Sequence, residues 1–160
     1  MVTVTVKKGY DLNLAGDPSA DLEILPPPSK VGFHPDKIPF VKPRLRVKEG
    51  DRVLTGAPLY EDKRNPRITF PSPGSGRVAA ISYGPRRGVT EMLIQLDEQE
   101  EPLKQPALSP ESVASADRQE LVDALLGGSL WPLFRELPFK DIPDPTAAPP
   151  LIIVSLGSLA

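Results

Sequence analysis

Residues 72–76 (SPGSG) have the small-residue composition of loops that hold phosphate groups. Such loops bind phosphate when backbone N–H groups at the start of a helix point at it, and many end in Lys followed by Ser or Thr. Here Arg77 and Val78 follow, and residues 77–81 have the apolar character of a strand rather than a helix. The pattern therefore predicts a tight turn and not a phosphate site.

His34 is the single histidine, and it precedes Pro35 in an extended segment. The chain has no cysteine, which excludes disulfides, thiol nucleophiles, cysteine-ligated iron–sulfur clusters and zinc sites built from Cys and His. A Ser/His/Asp arrangement cannot be built around one extended histidine. We expect His34 to have a surface or hydrogen-bonding role.

Two further groups of charged residues carry no predicted chemistry. Glu61 and Asp62 are adjacent in the chain rather than facing, so they do not predict a paired-carboxylate site. Residues 84–88 (GPRRG) predict a basic hairpin tip, where two arginines are most often solvated. We therefore assign no catalytic, cofactor-binding or metal-ligating residue from the sequence.

The elements that would position these groups are short strands joined by tight turns across residues 47–81. Gly50 lies in a turn where it can take a positive φ, and a second turn is predicted at Gly56. Two prolines and two glycines crowd into residues 71–76, a density that predicts a corner with backbones close together. A strand is expected to leave that corner.

Three flanking segments extend this β pattern. Valine alternates with polar residues over residues 2–7, which predicts a half-buried strand. Six prolines within residues 26–43 predict an extended path over a sheet rather than a helix. A closing strand is predicted over residues 89–96, with Met92 and Ile94 on the same face.

The pattern changes after an acidic, proline-containing linker predicted over residues 97–110. Asp117 and Glu120 have the form of a capping box, which predicts a helix that ends at Gly127. A second helix is predicted to begin after Ser129 and to carry the apolar residues of 130–137.

A continuous apolar run over residues 151–157 predicts the first strand of a parallel α/β sheet. Such a strand has no predicted partner in this chain and is not stable alone. Either it pairs with the β domain, or the chain is a fragment of a longer protein, and we expect the fragment.

Composition narrows the classes of partner. The net charge of −2 gives no electrostatic reason to expect nucleic acid or an anionic membrane surface. Proline makes up 21 of 160 residues, which predicts many turns and extended connections. No apolar stretch approaches the 18 or so residues of a membrane-spanning helix, and the N-terminus lacks the pattern of a signal peptide. The expectation is a soluble, cytoplasmic chain.

The pattern V-x-E-G-D-x-V-x-x-G-x-P-L, followed by P-x-S-G-x-V-x-x-I, resembles the barrel-sandwich fold of biotinyl and lipoyl carrier domains. The resemblance places Lys63 where carriers hold their modified lysine. The apolar neighbours of a biotinylated lysine are missing, Pro66 follows closely, and no second E-G-D-x-V half comes after Ile81. A solvated turn lysine is favoured over a carrier modified at Lys63, and intact mass separates the two.

A longer match is to the A subunit of the sodium-translocating NADH:quinone oxidoreductase, which this chain resembles in order and spacing over nearly its whole length. The matching segments are VKKGYDLNLAG (6–16), VKPRLRVKEGDRV (41–53), PLYEDKRNP (58–66), PSPGSGRVAAI (71–81) and GSLWPLFRELPFKDIP (128–143). The C subunit of the Rnf electron-transport complex is a more distant match and gives an alternative.

The resemblance implies a peripheral subunit on the cytoplasmic side of the membrane, non-catalytic by itself, in a complex that oxidises NADH, reduces quinone and exports sodium. It implies membrane subunits of that complex as partners, no covalently bound cofactor, and quinone as the small molecule concerned. The region 131–139 would be buried against those partners. A stand-alone interaction module is a weaker alternative.

The predicted architecture is mainly β. A barrel-sandwich hybrid domain is expected over residues 1–110, a short two-helix element with a linker over 111–145, and the start of a truncated Rossmann-like domain over 146–160.

Overall fold

The computed structural model describes residues 15–16, 19, 21–106 and 108–154. The strand predicted over residues 2–7 lies outside this part of the chain, as do residues 155–157 of the last apolar run. Residues 151–154 of that run are exposed and form no regular strand, so the truncated Rossmann-like domain stays a prediction.

Within the described residues, seven strands form two antiparallel sheets. The strands are β1 (Lys30–Phe33), β2 (Pro43–Leu45), β3 (Arg52–Val53), β4 (Pro58–Asp62), β5 (Asn65–Pro71), β6 (Gly76–Tyr83) and β7 (Val89–Leu96). The larger sheet has the order β1-β7-β6-β3, and the smaller has the order β2-β4-β5. The mainly β prediction is confirmed.

One core joins the two sheets. The ring of Tyr60 on β4 stacks on Phe70 of β5 with centroids 4.5 Å apart, and Phe33 of β1 meets it edge-on at 6.1 Å. Met92 and Ile94 of β7 are fully buried, as the predicted single apolar face of that strand requires. The aromatic contacts therefore cross from the smaller sheet to the larger.

The predicted tight turns are present where the sequence places them. Gly50 has φ +88° and Gly56 has φ +85°, which are left-handed conformations that glycine adopts without a Cβ penalty. Gly76 pairs with Leu96, and a Cβ built on it would overlap the carbonyl oxygen of Gln95. The corner over residues 71–76 is thus a close approach of two backbones.

The first part of the predicted linker is held against the β domain. Thr55 donates its N–H to the carbonyl of Glu101 at 3.1 Å and accepts from the N–H of Leu103 at 2.8 Å. The Arg52 guanidinium also contacts the Glu101 carboxylate at 2.7 Å. Residues 101–103 are therefore held against the residues that follow β3 by an isolated bridge between Thr55 and Pro102.

Two helices follow in the described chain, α1 (Pro110–Ser115) and α2 (Arg118–Gly127). Asp117 and Glu120 form the predicted capping box of α2, and Gly128 ends it. α1 was not predicted; Ser109 and Ser112 cap it reciprocally. Neither helix is long and apolar enough to cross a bilayer, and the rest of the described chain contains no such helix.

The prediction of a helix after Ser129 is wrong. Only a 3-10 turn, Trp131–Leu133, forms there, and Phe134 is already extended. Ser129 has φ +55°, and its hydroxyl lies 2.7 Å from the Thr69 hydroxyl of β5 instead of capping a helix. Pro138 disfavours helical backbone at the residue before it, so the helix cannot resume farther along.

We predict that Gly76→Ala destabilises the fold by about 2 kcal/mol or more, because overpacking against a fixed backbone carbonyl typically costs about 1–3 kcal/mol. Urea unfolding followed by circular dichroism measures this. Gly127→Ala is the matched control, since a Cβ there meets nothing within 4 Å at the end of α2. Equal effects of the two substitutions would contradict the close approach.

We predict that Tyr60→Phe leaves the free energy of unfolding unchanged or raises it by up to about 1 kcal/mol. The Tyr60 hydroxyl is buried and has no hydrogen-bond partner among the described residues, so removing it removes a desolvation cost. Burial raises the pKa of this phenol for the same reason. Tyr60→Ala, which removes the stacked ring, should cost about 3–5 kcal/mol. A loss above about 1 kcal/mol for Tyr60→Phe would show that the hydroxyl has a partner.

Candidate functional site

In the loop over residues 72–76, which resembles a phosphate-binding loop in composition, both serine hydroxyls are hydrogen-bonded to backbone groups of the chain. Ser72 Oγ donates to the carbonyl of Gly74 at 2.6 Å, and Ser75 Oγ accepts the N–H of Glu101 at 2.7 Å. Both serines are buried. These hydrogen bonds agree with the prediction that residues 72–76 form a tight turn.

His34 and the basic hairpin tip lie at the same end of the larger sheet. His34 Nδ1 lies 3.2 Å from the carbonyl oxygen of Thr90, which is a hydrogen-bonding role at an exposed position. Arg86 and Arg87 occupy an exposed turn between β6 and β7, so the basic hairpin tip is present as predicted. No group of three or more His, Cys, Asp or Glu that could hold a metal occurs in the described ranges.

Lys63 lies at the tip of the β4–β5 hairpin, and it is exposed. The tip itself is firmly held. Lys63 donates its backbone N–H to the carbonyl of Lys42 at 2.8 Å, and the buried Asp62 carboxylate accepts the N–H of Lys42 at 3.3 Å and of Arg64 at 3.0 Å. The tip is thus built around one buried carboxylate and charged neighbours.

Glu61 is buried on the outer face of the smaller sheet, between two arginines. Arg44 lies directly opposite it on β2, and both Arg44 and Arg46 donate their Nε–H to its carboxylate, one to each oxygen. Arg44 and Arg46 remain about half exposed. The two guanidinium groups therefore cover the carboxylate and are fixed by it.

These contacts set the charge of Glu61. Burial raises the pKa of this carboxyl, but the hydrogen bonds from Arg46 and Arg44 outweigh burial and hold it below its ordinary value of 4.5. Glu61 is therefore ionised at neutral pH and leaves the two arginines with one net positive charge between them.

The segment that contains α2 packs on the same outer face, along β5. The Arg67 guanidinium pairs with Asp123 of α2, and the Thr69 and Ser129 hydroxyls form a buried hydrogen bond. Val122 and Leu126 of α2 belong to the same buried core as the strands. The helical element is thus docked on the β domain.

An apolar loop, residues 136–141, projects beside the hairpin tip. Glu136 donates its N–H to the carbonyl of Asp141 at 2.8 Å, which closes the loop, and Arg64 holds the Asp141 carboxylate at 2.9 Å. Leu137 is 65% exposed and Phe139 is 76% exposed at its tip. The region 131–139, predicted to be exposed, is therefore divided, because Trp131 is buried while this loop is not.

A row of cations went unrecognised in the sequence. Side chains on one side of β2 and its continuation are all basic and exposed; they are Lys42, Arg44, Arg46 and Lys48. The signal was present as a period of two along VKPRLRVK, with apolar residues or proline at the alternate positions. The net charge of the whole chain, −2, gives no indication of this local positive charge.

With this geometry established, comparison with known proteins gives a consistent result. The family model described as the NqrA N-terminal barrel-sandwich hybrid domain matches residues 4–97. The barrel-sandwich prediction is thereby confirmed, as two sheets around one core with no closed barrel among the described strands.

Similar curated proteins share one description, the A subunit of the Na(+)-translocating NADH-quinone reductase. The chain is 34% identical over 154 residues to that of Pseudomonas aeruginosa (strain UCBPP-PA14), and 33% identical over 152 residues to that of Neisseria meningitidis serogroup B. Each alignment covers 95% of this chain and 34% of the relative. The chain therefore spans about a third of the length of the curated relatives it matches.

We predict that Glu61→Gln lowers the free energy of unfolding at pH 7 by about 1–3 kcal/mol, because a neutral amide cannot satisfy two guanidinium groups. The pKa of Glu61 is depressed in the folded state, so its contribution is present above about pH 4.5 and is lost as the pH falls through the folded value. The difference between the two proteins should therefore shrink in acid.

Urea unfolding at several pH values measures this difference. Glu98→Gln, at an exposed position, is the control for removing one carboxylate. A constant difference down to acid pH would contradict the proposed role of the ionised form.

Proposed function

Because this chain belongs to the NqrA family, we propose that it acts as the A subunit, or the N-terminal part of one, of a sodium-pumping NADH:quinone oxidoreductase. The relatives' name supports the assembly and its chemistry. The observation that carries the role of this chain is the apolar loop, which presents two large side chains to solvent on an anchored backbone.

The apolar loop has the properties of a docking element. Leu137 and Phe139 are exposed although the loop is closed by backbone hydrogen bonds and tied to Arg64. Burial of such side chains against a partner contributes about 1.5–3 kcal/mol each, and an anchored loop loses little conformational freedom on binding. We propose that this loop inserts into another subunit of the complex.

Family membership supports a proposal for the position of this chain and for the chemistry of the whole complex. We propose a peripheral subunit on the cytoplasmic side, non-catalytic by itself, whose partners are the membrane subunits of the reductase. Quinone is the small molecule proposed for contact with the A subunit, and no covalently bound cofactor is proposed for this chain.

We predict that the tagged chain, recovered from gently solubilised native membranes, brings down sodium-stimulated NADH:quinone reductase activity. The double variant Leu137→Ser with Phe139→Ser should recover at least about tenfold less, because truncating a central apolar anchor typically costs more than 1 kcal/mol per residue. The matched control is Leu22→Ser with Ile24→Ser, since those side chains are 95% and 91% exposed.

Three outcomes would overturn parts of this proposal. Equal losses in the two double variants would remove the specific role of the apolar loop. Recovery by a full-length form but not by this chain would place the docking surface elsewhere. Recovery of a different electron-transport complex would favour the Rnf-type alternative.

A further inference from the structure

We propose that the basic row, Lys42, Arg44, Arg46 and Lys48, is a contact surface for the anionic headgroups of a lipid bilayer. The inference deepens the proposed function and rests on its peripheral position at the membrane. It adds the face that meets lipid and the chemistry of that contact.

The row follows a regular alternation of burial through β2 and the residues on either side of it. Residues 41, 43, 45 and 47 are partly buried, and residues 42, 44, 46 and 48 are exposed, in strict alternation. Val41, Leu45 and Val47 pack against the core. β2 ends at Leu45 and the backbone bends at Arg46, so the four exposed cations are spread over seven residues, which is more than a single small anion would contact.

The row is strongly positive although the chain as a whole is not. Four cations face one buried carboxylate, Glu61, which leaves a net charge of three. Near the far end, the Asp51 carboxylate accepts the N–H of Lys48 and the Glu49 carboxylate accepts the N–H of Ile81. At the other end, the buried Asp62 carboxylate accepts the N–H of Lys42 but is paired with Arg64, and the exposed Lys63 adds a further cation.

The arginines in the row are pre-oriented for anions. Glu61 takes the Nε–H of both Arg44 and Arg46 and so fixes the two side chains, while the guanidinium groups stay about half exposed. One terminal nitrogen of Arg44 also contacts Glu61, and one of Arg46 donates to the carbonyl of Pro66 at 3.3 Å. The other terminal nitrogen of each guanidinium is left for phosphate oxygens, which arginine binds well. For Lys42 and Lys48, no ion pair occurs among the described residues, and their flexible stems let the ammonium groups reach a headgroup layer.

The strand itself argues for lipid over an acidic peptide. β2 is an edge strand that pairs only with β4, and an edge can accept a peptide by strand addition. Pro43, the first residue of that three-residue edge, has no N–H to donate. Recognition must therefore rely on charge and not on backbone pairing, as it does on a headgroup surface.

The neighbouring apolar loop places the row near a membrane. Lys63 at the hairpin tip bonds the backbone of Lys42, and Arg64 beside it holds Asp141 of the loop. If the loop inserts into a membrane subunit, the row next to it faces the lipid around that subunit.

The test is co-sedimentation of the 160-residue chain with vesicles. One set is phosphatidylcholine alone, and the other contains about one-third phosphatidylglycerol. We expect binding only to the anionic vesicles, and loss of that binding at about 1 M salt, where charges are screened beyond about 3 Å.

Lys42→Gln with Lys48→Gln leaves the Glu61 contacts intact, so the fold should be kept. Each cation near an anionic surface contributes about fivefold, so this variant should partition about 30-fold more weakly. Arg86→Gln with Arg87→Gln removes the same charge from an exposed hairpin of the larger sheet and should bind as the parent does.

A second variant tests the two arginines without leaving the buried Glu61 carboxylate unpaired. Arg44→Gln, Arg46→Gln and Glu61→Gln are combined, and circular dichroism checks the fold. This variant removes one net positive charge and should bind anionic vesicles about fivefold more weakly.

Binding to neutral vesicles, or equal losses in the Lys42/Lys48 and Arg86/Arg87 variants, would overturn the proposal. A chain that recovers the reductase but does not bind anionic vesicles would also overturn the lipid contact. In that case the partner of the row is an acidic protein surface, and the proposed function is kept. A chain that binds anionic vesicles through the row but fails to recover the reductase keeps the lipid contact and overturns the proposed function.

Discussion

The buried carboxylate of Glu61 is the constraint on which the exposed side of the smaller sheet depends. A carboxylate buried without partners would cost several kcal/mol, so β2 must bring arginines to it. Arg44 opposite and Arg46 two residues later meet that need, and the strand register that aligns them also directs Leu45 into the core. One charge pairing therefore fixes the register of an edge strand only three residues long.

The two faces of the smaller sheet have separate roles. Its inner face supplies Tyr60 and Phe70 to the shared core, while its outer face carries hydroxyl and charged groups that receive α2 and the residues after it. Arg64 then holds the apolar loop beside the hairpin tip. The barrel-sandwich domain thus uses its β4–β5 hairpin as an attachment point for a further segment, and Lys63 lies at the tip as a charged neighbour.

Local rules account for what could be predicted from sequence. The turn at Gly50, the crowded corner before Gly76 and the capping box at Asp117 each depend on residues a few positions apart. The failed helix after Ser129 depended on Thr69, which lies 60 residues earlier, and no local pattern reports that bond. The apolar loop was placed only as part of a larger exposed region, because burial of its neighbour Trp131 requires the tertiary contacts of the docked segment.

The central claim is that the segment containing α2 is docked on β5 and positions the apolar loop. Native-state hydrogen exchange of the α2 amides tests it most directly, because an isolated helix of 10 residues is only marginally stable in water. We expect the amides of Val122 to Leu126 to exchange as slowly as those of β5. Exchange of α2 at the rate of an unfolded chain, while β5 stays protected, would contradict it.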